Sequence, residues 1–224
     1  MKGKRVIISF IIGYAGVVLG LCCVVAFHRF VLMSLPLIAR MVSMIFTYWL
    51  IAVVPIIPII TILINKEKLS DYGVTNEKIG YRIITGVWIA LAMSLVLTLI
   101  PHLTGFGVYV DSGNRYHNIW QYIYEFFYCI MTIGIVEEFV FRGFIYMKIK
   151  EISQKEIIAV IGSSVLFGLF HLFTGNIAQM FMTTLIGAFF CLCRLKIKSC
   201  TTISLILAHG LYDALVTVWA SVLL

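Results

Sequence analysis

The stretch Glu137-Glu138-Phe139-Val140-Phe141-Arg142 sets three charged residues inside an apolar context. The sequence from Ile123 to Val136 is apolar apart from Glu125, and apolar residues continue to Met147. No loop punctuation surrounds the cluster, so it reads as part of a helix. In hydrocarbon each charge costs at least a few kcal/mol, which makes an intramembrane ionisable residue a functional candidate by default. At helical spacing Glu138 and Arg142 stand four apart and can pair. Glu137 points about 100° away and has no local cation. One carboxylate therefore reads as neutralised, the other as free to act as base or ligand.

Other ionisable groups also lie deep in apolar stretches: His171, His209 and Asp213. Glu137 is eleven residues before Lys148, His171 fourteen after Ile157, and His209 eleven after Lys198. At helical rise these lie roughly 15–20 Å from the basic side of the membrane. His209 and Asp213 are four apart and share a helix face, so Asp213 could orient His209, accept a proton or bind metal. By contrast Glu125 and His102 sit near span ends and are expected to face the interface.

The chemistry open to this set is hydrolysis by an activated water. A carboxylate in a low-dielectric site is a better base near neutral pH. A carboxylate and a histidine together can polarise water, and a second histidine can donate to a developing oxyanion. Alternatively Glu137, His171, His209 and Asp213 could ligate a divalent metal such as zinc, with an open position for water. No HExxH is present, which argues against a zinc site-2 type of protease. Neither GxSxG nor GxGD occurs. The bland alternative is that Glu138–Arg142 is a structural pair, His171 a helix–helix hydrogen-bonding residue and Asp213 part of a polar network. Costly charge gathered at one depth favours function over glue.

These groups need membrane helices to hold them. Of 224 residues 62% are hydrophobic and 12% charged, against about 25% charged in a soluble domain. Mean hydropathy is +1.05. The expectation is an all-α, polytopic transmembrane bundle of about seven to eight spans, forming a single integral membrane domain over 1–224. The spans expected are Val6–Phe27, Met41–Ile64, Ile83–Leu103, Ile119–Met147, Ile157–Phe173, Gln179–Leu195 and Cys200–Leu224. An eighth would require His28–Arg40 to dip into the membrane. Pro55 and Pro58 predict a kink in the second span. Val6–Phe27 reads as a span rather than a cleaved signal.

The formal net charge of +7 reflects topology, not nucleic acid. With the N-terminus inside, thirteen of the seventeen Lys and Arg residues fall on one side, including Lys66, Lys68, Lys78, Arg82, Lys148, Arg194 and Lys198. Arg29, Arg40 and Arg115 fall on the other, and Arg142 lies within the membrane. That bias predicts a multi-pass protein with a cytoplasmic N-terminus. The six cysteines form no CxxC pair and read as small apolar residues.

The pattern resembles the CPBP intramembrane proteases, the CAAX protease and bacteriocin-processing (Abi) family. Its signature is EExxxR in one span, FxxxH in the next and HxxxN/D in a later one. Here these read Glu137-Glu138-Phe139-Val140-Phe141-Arg142, Phe167-Gly168-Leu169-Phe170-His171 and His209-Gly210-Leu211-Tyr212-Asp213. The resemblance covers about residues 119–220, and Leu69-Ser70-Asp71-Tyr72-Gly73-Val74 looks like a short family feature ahead of that core. It implies that Glu137, with His171, activates the attacking water. His209 would stabilise the oxyanion, assisted from position 213, and Glu138, Arg142 and Phe167 would support the site. Eukaryotic prenyl-protein members carry Asn where this chain has Asp213. Asn can donate to an oxyanion and an ionised Asp cannot, so Asp213 would orient His209 or favour metal. The cofactor stays open between none and a divalent metal.

The chain looks bacterial and of the cell membrane. A membrane-associated peptide or protein is the expected substrate, rather than a prenylated CAAX protein, and no nucleic acid is expected. Bacterial members are associated with bacteriocin self-immunity and peptide maturation. The alternatives are a non-catalytic immunity or scaffold protein of the same fold and, with less support from a repeat-free sequence, a proton-coupled transporter.

Overall fold

The computed structural model describes residues 2–36, 48–110, 113, 115–173 and 175–223. The start of the expected second span, Arg40 and Asp111 lie outside the described residues. In chain order the helices are α1 (Lys2–Ala26), α2 (Ile56–Ile64), α3 (Ile79–Ser94), α4 (Ile100–Leu103), α5 (Ile119–Tyr128), α6 (Ile135–Glu138), α7 (Tyr146–Ser153), α8 (Glu156–Leu172), α9 (Ile177–Lys196) and α10 (Thr202–Leu223). No strand occurs among the described residues. A helix satisfies its own backbone groups, so it suits a chain this apolar in lipid.

Among the described residues four helical stretches are long and apolar enough to cross a membrane: Gly3–Ser34, Ile79–Leu103, Ile177–Lys196 and Thr202–Leu223. Two shorter apolar helices, Trp49–Ile64 and Glu156–Leu172, accompany them. The burial pattern inverts that of a soluble protein. Trp88, Phe181 and Leu185 are exposed, while Glu137, Glu138, Arg142 and His209 are buried. This is a multi-pass membrane protein.

The chain forms two compact units, Met1–Val74 with Phe139–Ile197, and Thr75–Glu138 with Lys198–Leu224. In the first, the backbone changes at Val54–Pro55 from the 3₁₀ turn Tyr48–Val53 to α2, a break beside the prolines expected to make one. Pro55 caps α2 and Pro58 falls in its first turn, where a missing N–H has no intrahelical acceptor to lose. α1 packs on this segment through Gly16, where a Cβ would lie 2.2 Å from the Cβ of Ile57. Asn65 ties the pair by accepting from Arg5 Nε at 2.7 Å. Gly168 brings α8 onto α9, since a Cβ there would lie 1.9 Å from Thr184 Oγ1 and 2.7 Å from the Met180 carbonyl oxygen.

Two cations of the first unit, Lys148 and Arg194, have partners within it. Lys148 is buried, and its Nζ donates to Glu67 at 2.7 and 2.8 Å. Tyr72 donates to the same carboxylate and stacks on Phe144 at 6.0 Å. Burial, then the bond to Glu67, pushes the Tyr72 hydroxyl up from its ordinary range. The segment Leu69–Tyr72 is thus a short 3₁₀ turn docked by an ion pair. Arg194 donates to the backbone carbonyl of Arg142 and covers the Tyr146 ring at 5.2 Å.

In the second unit α3 and α10 approach closely at Gly86, where a Cβ would lie 2.5 Å from the Ser204 carbonyl oxygen. Trp219 Nε1 donates to Ser94 Oγ at 2.7 Å. Glu125 does not snorkel to an interface. It accepts from Tyr116 Oη at 2.9 Å and from Thr217 Oγ1 at 3.0 Å, which ties α5 to α10. A carboxylate between membrane helices is better satisfied by such donors than left facing lipid. His102 is held by its own helix, with Nδ1 2.9 Å from the Thr98 carbonyl oxygen.

Candidate active site

The expected long helix from Ile119 is not uniformly α-helical. Wider π turns, Cys129–Gly134 and Phe139–Ile145, stand on either side of the short α6 that carries Glu137 and Glu138. Such π turns recur at functional sites because they re-aim side chains that an unbroken helix would space evenly. The physical support for the first one is close backbone packing. A Cβ at Gly134 would lie 2.5 Å from the Ile206 carbonyl oxygen, and one at Gly210 2.5 Å from Ile130 Cα. Glycine at both positions lets the π turn and α10 meet backbone to backbone.

That contact sets Glu137 and Glu138 against His209. Nδ1 of His209 lies 2.7 Å from Glu138 Oε1. On the far side of the ring, Nε2 is 3.9 Å from Glu137 Oε2 and 3.5 Å from Asp213 Oδ2. A carboxylate accepts only, so Nδ1–H donates to Glu138 and Nε2 is left to face Glu137 and Asp213. Glu137, Glu138 and His209 are buried, while the Asp213 side chain is one-third exposed. Glu138, read as neutralised by Arg142, has His209 as a partner within its own unit.

Arg142, Phe167 and His171 belong to the other unit. The Arg142 guanidinium lies over the Phe167 ring at 4.0 Å and 5.4 Å from that of Phe190. Gly187 gives it room, since a Cβ there would lie 3.1 Å from Arg142 Nη2 and 3.2 Å from Phe167 Cδ1. His171 Nδ1 is 3.0 Å from the carbonyl oxygen of Phe167. That bond assigns the proton to Nδ1 and leaves Nε2 as an acceptor. Edge-on contacts with Phe167 and Phe170, at 4.6 and 5.6 Å, fix the ring plane. The FxxxH spacing therefore has a local cause: the first residue of the motif supplies both the carbonyl and the ring that orient the last.

The structure gathers Glu137, Glu138, His209 and Asp213 around one imidazole, and separately seats Arg142 and His171 on Phe167. The spacing argument missed Gly134, Gly210, Gly187 and Arg194. A signal was present in the glycines, each of which weakens a helix interior by about 1 kcal/mol against alanine. Among the described residues no group of three or more His, Cys, Asp or Glu side chains is arranged to hold a metal ion.

Comparison with known proteins gives one result. The family model described as type II CAAX prenyl endopeptidase, Rce1-like, matches residues 118–215. That segment contains all three motifs. No curated protein and no solved structure matches the chain.

Proposed function

We propose that this chain, whose residues 118–215 match the model of the Rce1-like type II CAAX prenyl endopeptidases, is an intramembrane endopeptidase. It hydrolyses a membrane-associated peptide or protein with a water activated by Glu137 and His171. The observation that supports this most directly is the His209 ring held at one nitrogen by Glu138 and facing Glu137 with the other. A structural ion pair needs one carboxylate per cation, and here two buried carboxylates, Glu137 and Glu138, face a single imidazole.

In the proposed reaction Glu137 takes a proton from water as the hydroxyl oxygen attacks the scissile carbonyl carbon. The carbonyl π electrons move to oxygen, and the tetrahedral oxyanion is held by a proton on His209 Nε2. Glu138, bonded to Nδ1, holds the ring so that Nε2 is the nitrogen presented. Collapse of the intermediate breaks the C–N bond, and the proton held by Glu137 passes to the leaving amine. His171, its Nε2 left as an acceptor, shares the water proton; its part rests on the motif. Asp213, carried at the Asn position of eukaryotic members, acts on the orientation of His209 rather than as a donor. The family is a protease family; the proposal adds the substrate, the spans beyond the four long helices and a cytoplasmic N-terminus.

The test is cleavage of labelled membrane peptides by purified protein in liposomes, comparing wild type with Glu137→Gln and His171→Ala. Loss of a general base reduces turnover by about 10²–10⁴-fold. The expected result is that loss in both variants with unchanged melting temperature. Equal partner binding by all three proteins with no cleavage by any would instead establish the scaffold reading. Substrate uptake driven by a proton gradient would establish the transporter.

A further inference from the structure

The second unit carries a basic cavity that the proposed reaction does not use. Its volume is about 450 Å³ and it is lined by Lys78, Tyr81, Arg82, Lys198 and Ser199. It sits where the α3 and α10 spans begin. Gly86 sets the spacing, because α3 can approach the Ser204 carbonyl only without a side chain there. Thr85 and Ser199 hydroxyls then join at 2.7 Å. That brings Lys198, on the turn before α10, beside the first turn of α3. Lys78 has a positive φ of 49°, a reversal that turns the chain into α3 immediately before the cavity. Arg82 is partly spoken for, since its guanidinium donates to the Thr75 carbonyl.

Charge distinguishes this cavity. Two cavities of the first unit differ from it: one sets Glu67, Asp71 and Glu151 against Lys148 and Lys150, and the other holds two cations, Lys4 and Arg5, in a largely isoleucine lining. The α3–α10 cavity has three cations and no carboxylate in its lining. None of the three forms an ion pair among the described residues. Cations gathered without counter-charge repel one another, and an anion relieves that repulsion. Tyr81 is 69% exposed at the same level, as expected of an aromatic at the membrane–water boundary. The anion available at the entrance of two spans is a lipid phosphate, and basic pockets between membrane helices suit such headgroups.

We propose that Lys78, Arg82 and Lys198 form a binding site for the phosphate headgroup of an anionic membrane lipid, with Tyr81 against its glycerol and acyl boundary. The site is independent of the peptidase reading.

The test is lipid retention measured by native mass spectrometry on the full chain, titrated with phosphatidylglycerol or phosphatidylcholine. Wild type is compared with the exposed-charge variant Lys78→Gln/Lys198→Gln and with Lys66→Gln/Lys68→Gln, which removes equal charge outside the cavity. The expected result is a phosphatidylglycerol preference that weakens about fivefold for each cavity charge removed and is unchanged in the control variant. Unchanged melting of both variants in phosphatidylcholine shows that folding is intact. Equal loss in both variants, or no preference in wild type, overturns the site. A third arm adds inorganic phosphate alone. If millimolar phosphate abolishes the preference and stabilises the protein as fully as the lipid does, the cavity is a free-phosphate site and the lipid proposal fails.

Discussion

Nδ1 of His209 lies 2.7 Å from Oε1 of Glu138, 71 positions away in the sequence. Both groups are buried, so the bond is shielded from water and from salt. Glu138→Gln keeps an oxygen that can accept from Nδ1–H but can also turn its amide toward the ring. The expected result is a fall of about a hundredfold in peptide cleavage, the scale of an angstrom-level misplacement of a catalytic group. Single-turnover cleavage in liposomes, with melting temperature as the folding control, measures it. Full activity in this variant would remove Glu138 from the role of positioning His209.

Gly210→Ala attacks the same geometry through the backbone. The added methyl would lie 2.5 Å from Ile130 Cα and 2.7 Å from the Cys129 carbonyl oxygen, neither of which can rotate away. Overpacking of this kind costs about 1–3 kcal/mol. Melting temperature should fall, and cleavage should fall further than stability alone accounts for. Gly80→Ala is the matched control, since nothing lies within 4 Å of its added methyl, and both readouts should stay at wild-type levels.

Arg142→Lys should not be a conservative change. The planar guanidinium lies 4.0 Å from the Phe167 ring centroid, and an ammonium cannot stack in that way. A loss of about 0.5–2 kcal/mol is expected from the cation–π contact. Gly187→Ala disturbs the same seat, so the double variant should lose less than the two single losses added together. Thermal melting of the four proteins in one detergent gives the cycle. Strict additivity would show that the two residues act separately.

Glu67→Ala strands a Lys148 ammonium that is 1% exposed. Removing one partner of a buried pair costs about 3–5 kcal/mol. Glu67→Leu/Lys148→Met, which removes both charges, should recover most of that. Tyr72 adds a pH dependence. Its folded hydroxyl titrates above its unfolded value of about 10, so its contribution is full below that pH. It is lost as pH rises through the raised folded value. Alkaline melting curves of wild type and Tyr72→Phe should therefore converge above about pH 10.

Much of the site could be read from residue types because lipid penalises charge. Glu137, Glu138, Arg142, His171, His209 and Asp213 stood out for being polar in apolar stretches, and their spacing matched three known motifs. Helix positions followed for the same reason, since a long apolar run in lipid has few other ways to satisfy its backbone. Partner choice was harder to read. Spacing within one helix gave no sign of the bond between Glu138 and His209. Lys148 and Arg194 counted only as cations of the basic side, and the structure seats one on Glu67 and bonds the other to the Arg142 carbonyl.

By itself the sequence determined that this is a helical, multi-pass membrane chain with a costly set of acids and histidines, because hydropathy and helical spacing are local properties of consecutive residues. Only the tertiary structure decided which ring nitrogen faces which carboxylate, where the helix widens into π turns around Glu137 and Glu138, and which glycines let two backbones touch. Those depend on contacts between segments tens of residues apart, where a difference of one angstrom separates a hydrogen bond from none.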